Sequence, residues 1–156
     1  MRKKILLLLF SILPFGTNSF AQYHKDILGE NFVQQTIQMP DDYEGKVIIT
    51  IVRKEAALPT TKAILYVHGF NDYFFQKSLA EHFNDAGFNF YAVDLRKYGR
   101  SMLSNQYPFQ VHNLNEYFAD IDTTLQIIKQ EGNHEILLMG HSTGGLITSL
   151  FCHKYR

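Results

Sequence analysis

The pattern of apolar and polar positions changes character once along the chain, near residue 60. Before that point it has the character of antiparallel strands. FVQQTIQM, residues 32–39, alternates weakly, and KVIITIVRK, residues 46–54, is a stronger run rich in β-branched side chains. Such side chains fit a pleated, half-buried surface. With the turn-rich PDDYEG between them, the two runs predict a hairpin at one edge of a sheet.

After the loop ALPTT the apolar runs become short and continuous, and each is followed by a helical repeat. KAILYV, residues 62–67, ends in His68-Gly69. FQKSLAEHFNDAG then places Phe75, Leu79, Phe83 and Ala86 on one helical face, with Gly87 as a stop signal. FNFYAVDL, residues 88–95, predicts the next strand, and a long polar loop follows it. Leu114, Phe118, Ile121, Leu125 and Ile128 mark a long amphipathic helix. Asn113 with Glu116 can cap its start, and Gly132 follows its end. EILLMG, residues 135–140, reads as a third buried strand, fit for the centre of a sheet, and GGLITSLFCHKY begins another helix.

Strand and helix in alternation predict an α/β fold, with a mostly parallel sheet covered on both faces and the antiparallel hairpin at its N-terminal side. Such sheets carry their sites at the carboxyl ends of the strands. Three unusual segments fall at those ends: His68-Gly69-Phe70, residues 94–101 and residues 140–145.

Composition narrows the picture. The 156 residues suffice for one domain. A chain that is 46% hydrophobic and 14% aromatic is globular, not disordered. Formal net charge is zero and no basic run occurs, so no nucleic-acid partner is expected. The first residues form a separate object. Arg2, Lys3 and Lys4 precede the apolar run ILLLLFSIL, and Ser19 and Ala21 supply small residues for cleavage. Residues 1–21 therefore read as a signal peptide that is removed. The run is far shorter than the roughly 20 residues of a spanning helix. A secreted or periplasmic product without a stable membrane anchor is expected, with residues 22–156 as its folded part. That part carries 12 basic and 15 acidic residues. The single cysteine, Cys152, leaves no internal disulfide and is expected as a small buried hydrophobe on the last helix.

The chemistry concentrates in Gly140-His141-Ser142-Thr143-Gly144. The G-x-S-x-G pattern alone is a weak signal. Between an apolar strand and an amphipathic helix it predicts a sharp turn that lifts the Ser142 hydroxyl clear of the sheet, with Gly140, Gly144 and Gly145 removing side chains that would clash. The turn also presents the Thr143 N–H to a developing oxyanion. A second donor is needed. The Phe70 N–H is placed to give it, and Gly69 lets the backbone pass close. His68, at a strand end inside that loop, is read as a structural hydrogen-bonder and not as a base.

The order of YVHGF, DLRKYGRS and GHSTGG resembles the α/β-hydrolase superfamily, most of all the branch of monoacylglycerol lipases, lysophospholipases and serine aminopeptidases. The resemblance covers about residues 30–156, the N-terminal half of that fold. It implies Ser142 as nucleophile and Phe70 and Thr143 as oxyanion donors. DLRKYGRS is similar to the D-x-R-G-x-G-x-S loop of the family. Asp94, Arg96, Gly99 and Ser101 match, and Lys97 stands where glycine is usual. The resemblance implies a structural role there, with the acid and the arginine bracing the turn. It also implies no metal or organic cofactor, and a small-molecule carboxylic ester of lysolipid or monoacylglycerol type as substrate.

In that family the acid and the histidine follow the serine in chain order. Only 14 residues follow Ser142, with no acid among them. His153, the one histidine there, lies about 16 Å along a helix at about 1.5 Å per residue, whereas a base must be within about 3 Å. His141 diverges from its neighbour Ser142, His134 precedes the strand, His82 lies on a helix and His24 in the leading segment. His112 is the one conceivable stand-in. The chain is thus expected to be an N-terminal portion that lacks the catalytic acid and base and is inactive by itself. Two other readings stay open: an aminopeptidase-like amide hydrolase, and a non-catalytic pseudo-hydrolase binding module.

Overall fold

The computed structural model describes residues 22–29 and 31–155. The expected signal peptide, residues 1–21, lies outside them. Six strands form one mixed sheet: β1 (His24–Lys25), β2 (Val33–Asp42), β3 (Gly45–Lys54), β4 (Lys62–Val67), β5 (Asn89–Asp94) and β6 (Glu135–Gly140). Their spatial order is β1-β2-β3-β5-β4-β6. Pairing is antiparallel from β1 to β5 and parallel among β5, β4 and β6. Three helices, α1 (Lys77–Asp85), α2 (Tyr117–Gln130) and α3 (Thr143–Lys154), supply the crossovers and cover.

Side-chain alternation splits the core in two. Ala63, Leu65 and Val67 of β4 join Ile49, Ile51 and Val93 against Ile121 and Ile128 of α2 and Ile147 of α3. Ile64 and Tyr66 face the other way, onto Phe74, Ala80, Phe90 and Ala92 beside α1. Both faces of the sheet are thereby covered, as its continuous apolar strands require.

The elements differ from the sequence reading in instructive places. β2 runs on through Pro40 to Asp42, past a register irregularity between Met39 and Asp42. A bulge tolerates the proline that a regular ladder would not. The hairpin closes as Asp42 pairs with Gly45, whose φ is +96°. Phe75 lies ahead of α1 and is exposed; Phe74 is the buried ring instead. The helix of residues 114–130 opens as a 3-10 turn, Leu114–Glu116. Its start carries both halves of a capping box: the Asn113 side-chain oxygen Oδ1 accepts from the Asn115 N–H (2.9 Å), and the Glu116 carboxylate accepts from the Asn113 N–H (3.0 Å). Cys152 is exposed, contrary to the expected burial. It follows the buried Phe151, and one residue turns about 100° round a helix. β6 is not a buried strand among the described residues. It pairs with β4 alone, at the sheet edge, and Leu137 is 50% exposed because no neighbour covers that side. No helix among the described residues is long and apolar enough to cross a membrane.

Candidate active site

β6 ends at Gly140 and α3 begins at Thr143, so the chain reverses within two residues. Ser142 makes this possible with φ +53° and ψ −121°, a conformation that L residues rarely hold because Cβ crowds the backbone. Two close approaches fix the turn. A Cβ at Gly140 would stand 2.5 Å from the Gly144 carbonyl carbon and the Gly145 nitrogen. A Cβ at Gly144 would collide with the carbonyl oxygens of Val67 and His68. At Gly145 the nearest atom would be the Gly140 oxygen at 3.4 Å, which is ordinary contact, so the sequence reading overstated the need for that glycine.

Ser142 stands where serine commonly caps a helix. Here its side chain makes no capping bond, and the residue is exposed. The hydroxyl is left available at the N-terminus of α3, where the helix dipole favours negative charge.

The loop after β4 packs directly on this turn. A Cβ at Gly69 would lie 3.2 Å from the Ser142 Cβ and 3.3 Å from the His141 oxygen. The structure thus brings the Phe70 and Thr143 backbones to the same corner as Ser142. Among the described residues neither N–H has an acceptor. Backbone N–H groups without an acceptor are the donor type that a carbonyl oxygen needs as it becomes negative.

His68 holds the loop from beneath. It is 1% exposed, its Nδ1 lies 2.8 Å from the Gly69 oxygen, and its Nε2 accepts from the Leu95 N–H at 3.1 Å. An amide can only donate, so Nε2 carries the lone pair and Nδ1 the proton. Burial holds its pKa below the ordinary imidazole value, against the pull of the Gly69 carbonyl and Asp94. Both nitrogens are engaged, and the ring has no free lone pair to serve Ser142. His141 extends to Asp72, with Nδ1 3.8 Å from a carboxylate oxygen. His112 stacks on Tyr43 with 3.8 Å between ring centroids, at the hairpin turn.

The 94–101 loop is braced by partners the sequence reading did not identify. Asp94 accepts from the Phe74 and Arg100 N–H groups and pairs with the Arg100 guanidinium at 2.9 Å, not with Arg96. Arg100 also grips Asp26 at 2.7 Å, tying the leading segment to the loop. Ser101 Oγ donates to the Asp94 carbonyl (2.6 Å). Arg96 turns instead to Asp120 on α2, with its Nε–H and Nη2–H groups on the carboxylate oxygens at 2.6–3.1 Å. Burial pushes the Asp120 carboxyl up against the pull of that guanidinium. A signal for Asp120 existed: an acid on the apolar face of α2, between Tyr117 and Ile121. Lys97 adopts φ +63°, the region glycine would fill freely, and its fully buried ammonium pairs with Asp42 (2.8 Å) and Glu44 of the hairpin. Burial pushes the Asp42 carboxyl up, but Lys97 and the Glu44 N–H outweigh it and hold the pKa below its usual value. Among the described residues no cluster of three or more His, Cys, Asp or Glu side chains is arranged to hold a metal.

Residues 59–156 match the family described as serine aminopeptidase, S33. No curated protein matches the chain. Several solved structures share its fold. A thermostable carboxyl esterase from Bacillus coagulans, in complex with glycerol, is 20% identical with a TM-score of 0.65, over 78% of this chain and 40% of that one. A soluble variant of monoglyceride lipase from Saccharomyces cerevisiae is 21% identical with a TM-score of 0.53, over 72% of this chain and 35% of that one. The epoxide hydrolase VrEH1 from Vigna radiata is 19% identical with a TM-score of 0.58, over 80% of this chain and 36% of that one. The chain spans about two fifths of the length of these structures or less, and their different reactions illustrate that this fold does not fix the chemistry. With the strand order β3-β5-β4-β6, the turn at Ser142 and the family match over most of its length, the chain belongs to the serine aminopeptidase S33 family of the α/β-hydrolase fold.

Proposed function

We propose that the chain is the nucleophile-bearing part of a longer serine hydrolase that cleaves a carboxylic ester. The observation that carries this reading is the Ser142 turn: a strained φ of +53°, an exposed hydroxyl that caps nothing, and Gly69 packed against it. Ser142 Oγ attacks the ester carbonyl carbon and gives its proton to a base, while the Phe70 and Thr143 N–H groups hold the oxyanion. Collapse expels the alcohol, which takes up that proton. Water then hydrolyses the acyl-serine in the same way.

The base and its acid come from sequence outside this chain. His68 is fully engaged, His112 is stacked on Tyr43 and His141 is directed to Asp72. Expressed alone, residues 22–156 hydrolyse nothing at an enzymatic rate, since an unassisted serine hydroxyl is a weak nucleophile. The substrate is a small-molecule carboxylic ester, and no metal or organic cofactor takes part. Residues 1–21 direct export, and N-terminal sequencing of the native product begins near Gln22; recovery of Met1 on a mature cytoplasmic form refutes the export.

The test is fluorophosphonate labelling and ester turnover of the full-length protein. Ser142→Ala abolishes labelling and lowers turnover by several orders of magnitude, because a nucleophile and its base act as one unit. Labelling retained in Ser142→Ala overturns the assignment. Absence of labelling in the unaltered protein favours a pseudo-hydrolase binding module. The family description favours a second reading, an amide hydrolase acting on aminoacyl groups. Turnover of aminoacyl p-nitroanilides above that of p-nitrophenyl esters selects it.

A further inference from the structure

The geometry points to Phe109, together with Phe70, as an aromatic wall that selects esters whose apolar group is itself an aromatic ring. The inference rests on the reading of Ser142 as nucleophile and goes beyond it to the substrate.

Phe109 holds φ +63°, in a region where a bulky L side chain is a conformational outlier. Glycine or asparagine would occupy that position more readily, yet the chain places a phenyl group there. The strain is held by the Phe109 N–H, which donates to the Lys97 carbonyl at 3.2 Å; Lys97 is itself at φ +63° and anchored by Asp42 and Glu44. Backbone strain of this kind persists where the surroundings enforce it, and it clusters at functional sites.

The enforced backbone completes a row of rings. Phe109 lies 5.3 Å from Phe70, edge to face at 63°, and 4.7 Å from Tyr98. Tyr98 packs on His68 at 4.7 Å and on Tyr117 at 6.1 Å. The inner end of the row is buried: Tyr98 is 4% exposed and Tyr117 2%. The outer end is open, with Phe70 63% exposed and Phe109 half-buried. That open end adjoins the reacting atom, because Phe70 follows Gly69, whose backbone packs on Ser142.

An edge-to-face pair of phenyl groups discriminates by ring geometry. An incoming aromatic ring gains quadrupole contacts that a saturated ring of equal size does not, on top of the apolar area both bury. Rigidity matters here, since a wall already ordered by Tyr98 and Tyr117 loses little entropy when the ligand arrives.

The experiment uses the full-length protein and two matched ester pairs: ethyl phenylacetate against ethyl cyclohexylacetate, and benzyl acetate against cyclohexylmethyl acetate. The first pair reports on the acyl side and the second on the alcohol side. Each kcat/KM ratio is measured on one sample, so a partly misfolded preparation cancels. The unaltered protein prefers the aromatic member of one pair. Phe109→Leu lowers that preference about 2- to 10-fold, the range expected of aromatic pair contacts, and Phe109→Tyr retains it. If both ratios stay unchanged in Phe109→Leu while Ser142 still takes a fluorophosphonate label, the wall is covered by another part of the protein and the inference is overturned, with the nucleophile reading intact. If the unaltered protein takes no label and turns over none of the four esters, the nucleophile reading fails and this inference with it.

Discussion

The strained backbone at Ser142 makes a prediction that separates catalysis from stability. Replacing Ser142 by alanine keeps the Cβ and therefore the strain. Replacing it by glycine removes the Cβ that makes φ +53° with ψ −121° unfavourable. Strain of this kind costs about 1–3 kcal/mol. Glycine returns about 0.5–1 kcal/mol of that through the added freedom of the unfolded chain. The side chain is exposed and makes no capping bond, so neither replacement loses packing or a cap. The net expectation is that Ser142→Gly is more stable than Ser142→Ala by about 0.5–2 kcal/mol, while both are inactive. Denaturant unfolding of the full-length protein reads this as a higher midpoint at unchanged slope. In a thermal scan it corresponds to about 2–4 °C per kcal/mol for a domain of 150–250 residues. If the glycine variant is no more stable than the alanine variant, the turn stores no strain and the stability argument is wrong.

Gly69→Val lowers turnover about 100- to 1000-fold, the loss of one oxyanion donor, because its Cβ presses on Ser142 and His141 from 3.2–3.3 Å; a folded variant with unchanged turnover refutes the placement of Phe70. Arg96→Ala leaves Asp120 buried without its partner and costs about 3–5 kcal/mol in equilibrium unfolding, and a loss under 1 kcal/mol would show the pair to be dispensable. Burial lowers the pKa of His68, so the unfolded chain takes up a proton before the folded one does. Its contribution to stability is complete above the unfolded value of about 6.5 and is lost as pH falls below it. His68→Asn should therefore flatten the stability–pH slope between pH 7 and 5 by up to about 1.4 kcal/mol per unit, and an unaltered slope would count against a neutral buried His68.

Much of this protein is local, and local features are legible. The change from strand-like runs to alternating apolar runs and helical repeats near residue 60 reports the switch from antiparallel hairpin to parallel sheet, because burial on both faces leaves no polar alternation in a strand. Gly140 and Gly144 announce the turn at Ser142 because a Cβ at Gly140 would strike the Gly144 and Gly145 backbone and a Cβ at Gly144 the Val67 and His68 carbonyls. Even the capping box of the 3-10 turn that leads into α2 stands in the sequence as Asn113 and Glu116. The two-residue strand β1 is too short for any period to reveal, and β6, apolar throughout, lies at the sheet edge because its position depends on what pairs with it. Partner choice is likewise tertiary. Asp94 and Arg96 are two residues apart and were expected to brace one turn, yet Asp94 binds Arg100 and Arg96 binds Asp120, 24 positions away. Lys97 replaces a glycine only because a hairpin more than 50 positions earlier brings Asp42 and Glu44 to its ammonium. The elements, the turn at Ser142 and the loop that meets it are readable from the chain because each depends on side-chain volume and backbone freedom within a few residues. Which charges pair and which rings pack beside Phe70 follows from the folded arrangement alone, because those contacts exist only after distant segments have been brought together.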